Sequence, residues 1–285
     1  MRSGNRRGTF LLLLPAIAFV AVLFVYPFIY GLFLSLTDPN GAVTVQNYAR
    51  FFSDWWERRT IGVTLWIALP ATVINVVLAI PFAYYMRHGS RGEKVVTFFL
   101  IIPLTLGTVL ISEGMLTFLG PAGWMNQLLL ALGIVHAPVR FTHNYLGVMI
   151  SLVIQGFPFA FLMILGYVSG INPDLEKASQ MLGASRGQTF LRVLFPLMAP
   201  GVAICFCLNF VMAFSVFPSA VLLGEPSGPT RVIAYAAYQW AFEKFDFNMA
   251  SAISMTMAVI ELVVISAVLV WRNSIYRGAS MVGKG

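Results

Sequence analysis

Two carboxylates, Glu113 and Glu261, stand inside long apolar stretches of the chain. An ionised side chain is expensive there unless it meets water, a cation or a hydrogen-bond partner. Helical spacing puts Glu113 near Thr105, Thr108 and Ser112 on one polar stripe, and Glu261 on a face with Ser254 and Ala258. Two chemistries suit such groups. Lining a water-filled path, they attract a passing cation; inside a packed bundle, they make interhelical hydrogen bonds, with the carboxyl protonated where it must be. The other reactive residue types do not assemble a catalyst. His88, His136 and His143 have no carboxylate or cysteine at ligand spacing, and Cys205 and Cys207, two apart, point to nearly opposite helix faces and read as packing. No Ser-His-Asp, paired-carboxylate or metal-helix pattern stands out. Gly278, four residues, then Gly283-Lys284 approaches a phosphate-binding loop. Gly285 stands where the hydroxyl residue is required, and no strand precedes the motif.

These residues must be positioned by membrane helices. The 285 residues are 59% hydrophobic and 10% charged, with a mean hydropathy of +0.82. Crossing about 30 Å of hydrocarbon takes roughly 20 apolar residues in a helix. Six runs pass that test: Thr9–Leu36, Ile61–Met86, Val95–Leu119, Leu146–Val168, Pro200–Leu223 and Met249–Trp271. The expected fold is therefore an all-α membrane protein of six transmembrane helices, forming one domain over residues 1–285. Basic residues give its orientation. With both termini inside, the inner segments hold twelve Lys and Arg and the outer segments six, which satisfies the positive-inside rule for an N-in, C-in topology. Counting acids as well, the inner side carries +9 and the outer side zero. The overall +7 then reflects topology and contact with an anionic lipid leaflet, not nucleic acid. Arg2, Arg6 and Arg7 before the first run imitate a signal peptide, but that run is too long for one and no small-residue cleavage site follows. In the second outer loop, Gly123–Gly133 is amphipathic and expected to be helical.

The inner loop, residues 169–199, carries the densest local signals. Asn172 suits a helix cap, Pro173 the first position, and Asp174 and Glu176 the positive end of the helix. Gly183 suits a left-handed stop. Ser185 and Gln188 have capping-box spacing for a second helix, which the proline rule ends before Pro196. Two short capped helices on the inner side make a compact grip for another protein.

At this loop the sequence resembles the permeases of binding-protein-dependent ABC importers. Their signature reads Glu-Ala-Ala, three residues, Gly, nine residues, Ile-x-Leu-Pro. Lys177-Ala178-Ser179, Gly183 and Val193-Leu194-Phe195-Pro196 match it with both spacings kept. Lys177 replaces the acid, and Glu176 falls one residue early. Leu182-Gly183-Ala184-Ser185 followed by Phe190 and Pro196 is similar to the polyamine, iron and phosphonate branch, as are Leu14-Pro15, Tyr26-Pro27, Tyr30-Gly31 and Ser35-Leu36. Sugar permeases more often carry an acid where Leu182 stands.

The resemblance implies a type I importer bundle in a bacterial inner membrane. It implies two separate ATP-binding subunits that hold the ATP and Mg, a second six-helix permease (identical or paralogous), and an extracytoplasmic solute-binding protein. On this reading Glu176, Lys177, Ala178, Ser179, Gly183, Ala184 and Pro196 form the ATPase-coupling element, and Glu113, Glu261, Ser254 and Ser112 line the substrate path. The chain needs no cofactor of its own and is not an enzyme. The expected cargo is a spermidine- or putrescine-like cation. Sugar, ferric iron and phosphonate remain alternatives within transport, and an intramembrane enzyme is the alternative outside it. Because the phosphate-binding loop is incomplete, the purified chain alone is expected to turn over no ATP in a phosphate-release assay; robust hydrolysis by the isolated polypeptide would overturn the reading.

Overall fold

The computed structural model describes residues 14–87, 89 and 91–281. Arg2, Arg6, Arg7, His88, Gly283, Lys284, Gly285 and the start of the Thr9–Leu36 run lie outside them. The helices, in chain order, are α1 (Leu14–Ser35), α2 (Gln46–Ser53), α3 (Trp55–Met86), α4 (Arg91–Leu119), α5 (Trp124–Ala131) and α6 (Tyr145–Ser169). After them come α7 (Asp174–Met181), α8 (Arg186–Phe214), α9 (Pro218–Leu222), α10 (Ile233–Tyr238) and α11 (Phe247–Met281). No strand occurs among the described residues. Among the described residues six helices are long and apolar enough to cross a membrane: α1, α3, α4 continued through α5, α6, α8 and α11. The amphipathic Gly123–Gly133 stretch is α5, as its pattern suggests.

The chain packs as two compact units, one drawn from Met1–Arg58 and Ala236–Ala258, the other from Arg59–Tyr235 and Val259–Gly285. In the first unit two buried or half-buried amides cap the end of α1. Asn47 Nδ2 donates to the Ser35 and Thr37 carbonyls at 3.2 and 2.9 Å, and Asn248 Nδ2 to those of Leu34 and Thr37 at 3.1 and 2.8 Å. Carbonyls at a helix end lack the usual i+4 donor, and the amides supply bonds there; the Leu34 carbonyl also accepts from the Thr37 N–H at 3.2 Å. Nearby, the Trp240 indole donates to Glu57 Oε1 at 3.0 Å, with Arg50 and Lys244 over its ring.

The second unit is built on a seam of small residues. Ala68, Ala71, Ala79 and Ala83 are fully buried along one stripe of α3, at spacings that keep them on a single face, with Asn75 among them. Small side chains let helix backbones approach closely, which is how membrane helices pack when water supplies no hydrophobic drive between them. Against this stripe lie Ala160, Phe161, Ile164 and Leu165 of α6 and Met198 and Cys205 of α8. Cys205 and Cys207 are free and buried, in keeping with packing.

Asn75 Nδ2 donates to Asn209 Oδ1 at 3.0 Å and to the Leu152 carbonyl at 3.3 Å, while Asn209 Nδ2 donates to the Gly156 carbonyl at 2.9 Å. Three helices thus meet at one amide pair. Only a residue without a side chain fits at Gly156, where a Cβ would overlap the Asn75 amide nitrogen.

Two expectations about the fifth span need correction. Pro196 does not end the second loop helix, and the span is not Pro200–Leu223. α8 runs unbroken from Arg186, with a π turn at Phe190–Leu194 in which the Phe195 N–H reaches back to the Phe190 carbonyl. The extra residue in the turn reorganises the backbone bonding just where proline lacks a donor, so the helix continues. At its other end α8 stops at Phe214. Pro218 cannot extend a helix and disfavours helical geometry at the residue before it, and Phe217 sits at φ −127°. The third span also departs from a straight rod: Gly107, at φ 74° and ψ 160°, breaks α4 in mid-course.

Asn75→Leu and Asn209→Leu are each expected to cost about 1–2 kcal/mol, and the pair together less than the sum, because one shared bond is lost only once. Detergent-denaturation midpoints of the two single variants and the double would measure this. Strict additivity would mean that the amides do not pair.

Candidate functional site

The 169–199 loop folds from local rules. Asn172, two residues before the start of α7, accepts through Oδ1 from the Asp174 N–H at 2.9 Å. At the far end Gly183 takes φ 87°, and the Gly183 and Ala184 N–H groups bond the Gln180 and Ser179 carbonyls at 2.9 and 3.1 Å. That is a Schellman closure, which satisfies carbonyls the helix leaves over. Ser185 and Gln188 then exchange side-chain and backbone bonds as a capping box at the head of α8.

This short helix has two faces. Glu176 and Ser179, three apart, turn toward the rest of the unit. Tyr84 donates to Glu176 Oε1 at 3.1 Å, Arg87 forms an ion pair with Glu176, and the Ser179 and Thr189 hydroxyls meet at 2.8 Å. Leu175, Ala178, Met181 and Leu182 are exposed, Met181 at 88% and Leu182 at 89%. Lys177 pairs only loosely with Asp174, both being about three-quarters exposed. An open groove of about 710 Å³ runs beside the helix, bordered by Tyr84, Tyr85, Lys177 and Arg186. Ala184 and Pro196, like Ser179, are half-buried.

The path residues expected from sequence fall into separate settings. Ser112 is fully buried, donating to the Thr108 carbonyl at 2.7 Å and meeting the Ser219 hydroxyl at 2.9 Å. Glu113, the next residue, is exposed and makes no ion pair among the described residues. The two therefore do not share the polar stripe that spacing suggested: a step of about 100° along an α-helix separates them. Glu261 accepts from the Ser215 hydroxyl at 2.8 Å, beside the end of α8. Ser254 is exposed and returns its hydroxyl to the Ala250 carbonyl at 3.0 Å.

Sequence reasoning missed a neutral polar cluster at this level. Ser219 joins Ser112, Ser151 and Gln155, with contacts of 2.9–3.0 Å. Gln155 and Asn209 also line a cavity of about 110 Å³ at the Gly107 break. The available signal was the cost of any amide in an apolar run. Asn75, Gln155 and Asn209 all carry that cost, as the two acids do. No cluster of three metal-ligating side chains occurs among the described residues.

Comparison with known proteins bears directly on this arrangement. The family described as "Binding-protein-dependent transport system inner membrane component" matches residues 75–277. The spermidine/putrescine transport system permease protein PotB of Salmonella typhimurium (strain SL1344) is 28% identical over 233 residues, 81% of this chain and 79% of its own length. The fold is similar to that of a chain in the bacterial alginate ABC transporter crystallised with an alginate pentasaccharide-bound periplasmic protein. There the TM-score is 0.79 at 22% identity, over 94% of each chain. It is also similar to a chain of the inward-facing methionine ABC transporter MetNI, with a TM-score of 0.55 at 16% identity over 77% of this chain and 94% of that one. The family match runs from Asn75 in α3 through both helices of the loop and on into α11, so the part of the chain that holds the amide pair and the two-faced helix is the part that is shared. This chain belongs to the binding-protein-dependent transport family, and it is an inner-membrane permease subunit of an ABC importer.

Proposed function

We propose that this permease carries a small organic cation of the polyamine class, driven by a separate ATPase that grips the 169–199 loop. The likeness to spermidine/putrescine permeases over four-fifths of the chain is the observation that carries the substrate class. The setting of Glu113 supports it. An exposed carboxylate among exposed apolar neighbours such as Val109 and Leu110 is costly against lipid and cheap against water, so it belongs on an aqueous path that a cation would share. Glu261, held by Ser215, serves as a second carboxylate for the cation.

The loop reading follows from the two faces of α7. One face is tied inward through Glu176 and Ser179; the other offers Leu175, Ala178 and Leu182 as an apolar surface that a cleft on the ATPase can cover. An N-in, C-in topology puts this surface on the side where ATP is found. ATP and its Mg belong to the two ATPase subunits, while a second six-helix permease and an external binding protein complete the assembly.

Two experiments test these claims. Gly183→Val forces a β-branched side chain into left-handed backbone, at about 1–3 kcal/mol, although the space around the residue is open. Co-purification of the ATPase is expected to fall while membrane insertion persists, and Gly183→Asn, which tolerates that backbone better, is expected to retain it. Normal assembly of the Val variant would remove the loop from the docking role. For the substrate, radiolabelled spermidine uptake by cells carrying the full importer is expected to drop roughly tenfold in Glu113→Gln at matched membrane levels. Absence of spermidine uptake in wild type would sink the polyamine reading and leave the importer assignment standing.

A further inference from the structure

The ion pair between Arg87 and Glu176 has no counterpart in the motif that marks the loop. The motif's acid position is occupied by Lys177, which points into solvent beside Asp174. Glu176 faces the opposite way. Its side chain is 16% exposed and that of Arg87 is 7% exposed, so the pair is largely withdrawn from water. The Arg87 guanidinium also lies 4.2 Å above the Tyr84 ring, and Tyr84 donates its hydroxyl to the same carboxylate. The Tyr84 ring meets Phe190 edge-on at 4.9 Å, and Phe190 is the first residue of the π turn in α8. Four side chains thereby join three elements: the end of α3, the two-faced helix α7 and the start of α8.

We propose that this Arg87–Glu176 pair, stacked through Tyr84 on Phe190, is the joint that converts displacement of α7 into a common movement of α3 and α8. The inference rests on the reading of α7 as the ATPase-bound helix. The backbone of α7 packs on the first turns of α8, and it reaches α3 through the side chain of Glu176. A charge pair held out of water resists separation far more than a solvated one, because breaking it strands a buried charge. A push on α7 is therefore passed to α3 instead of being lost in a sliding contact. α3 and α8 are clamped a second time at Asn75 and Asn209, about 14 Å along α3 from Tyr84 at 1.5 Å per residue. Two clamps at different heights make the helices move as one body. Arg87, Tyr84 and Glu176 are positioning residues on this account, and none needs to touch the solute.

The test uses the complete importer in nanodiscs, with spin labels at Trp66→Cys in α3 and Trp124→Cys in α5; both sites are exposed, while Cys205 and Cys207 are buried. ATP with vanadate is expected to change the label separation by roughly 2 Å or more when Glu176 and Arg87 are intact. In Glu176→Gln and in Arg87→Met the change is expected to fall below half, with the ATPase still co-purifying. The exchange Arg87→Glu with Glu176→Arg is expected to restore it, which a general loss of folding would not allow. An undiminished change in the single variants, an exchange that restores nothing, or loss of the ATPase in step with the change would each overturn the proposal. So would a wild-type importer whose labels do not move on ATP. A wild-type chain that never co-purifies with an ATPase would instead sink the proposed function, and this inference with it.

Discussion

Hydrocarbon offers a buried amide no water to fall back on, and the architecture of the larger unit follows from how two asparagines place their donors under that constraint. Asn75 donates to Asn209, and both amides also donate to backbone carbonyls of α6, while the buried Asn75 amide oxygen accepts no hydrogen bond among the described residues. This works only because the three helices approach closely, which in turn requires the alanine stripe on α3 and the bare backbone at Gly156. Sequence composition, helix separation and hydrogen bonding are thus one condition expressed at three levels. The serine and glutamine cluster around Ser219 extends the same arrangement to α4 and α9, tying the segment beyond the Gly107 break to α6.

The loop that follows α6 obeys a different economy, since its backbone can be solvated. Its order comes from caps: an asparagine and a glycine closure on one helix, and a reciprocal Ser–Gln box on the next. Capping of this kind typically contributes about 1 kcal/mol per helix end, enough to help hold a helix as short as α7 when tertiary contacts assist. Those contacts are supplied by Glu176 and Ser179, which leaves the opposite face of α7 uncommitted. A helix so short would not present a stable surface without both sources of order.

What could be read from sequence divides along the same line. The capping box, the stop at Gly183 and the presence of six apolar spans are local patterns that the structure contains, with the fifth span displaced to Arg186–Phe214. The pairing of Asn75 with Asn209 joins residues 134 apart and leaves no local trace beyond the presence of amides in apolar runs. Helical spacing alone puts Glu113 and Ser112 on one stripe, whereas packing against α9 buries Ser112 and leaves Glu113 exposed. Pro196 misled for a physical reason. The rule that proline ends a helix assumes an ordinary α ladder, and a π turn just before it relaxes that assumption.

That π turn also acts as an azimuthal offset. One additional residue in a helical path rotates everything upstream by about 100° about the helix axis relative to everything downstream. The head of α8, and with it the attitude of α7, is therefore indexed against the membrane portion by the five residues from Phe190 to Leu194. Lengthening or shortening that stretch by one residue would re-aim the loop without altering a single side chain in the bundle. In this chain the turn is thus a dial that sets the direction of the loop independently of the packed seam.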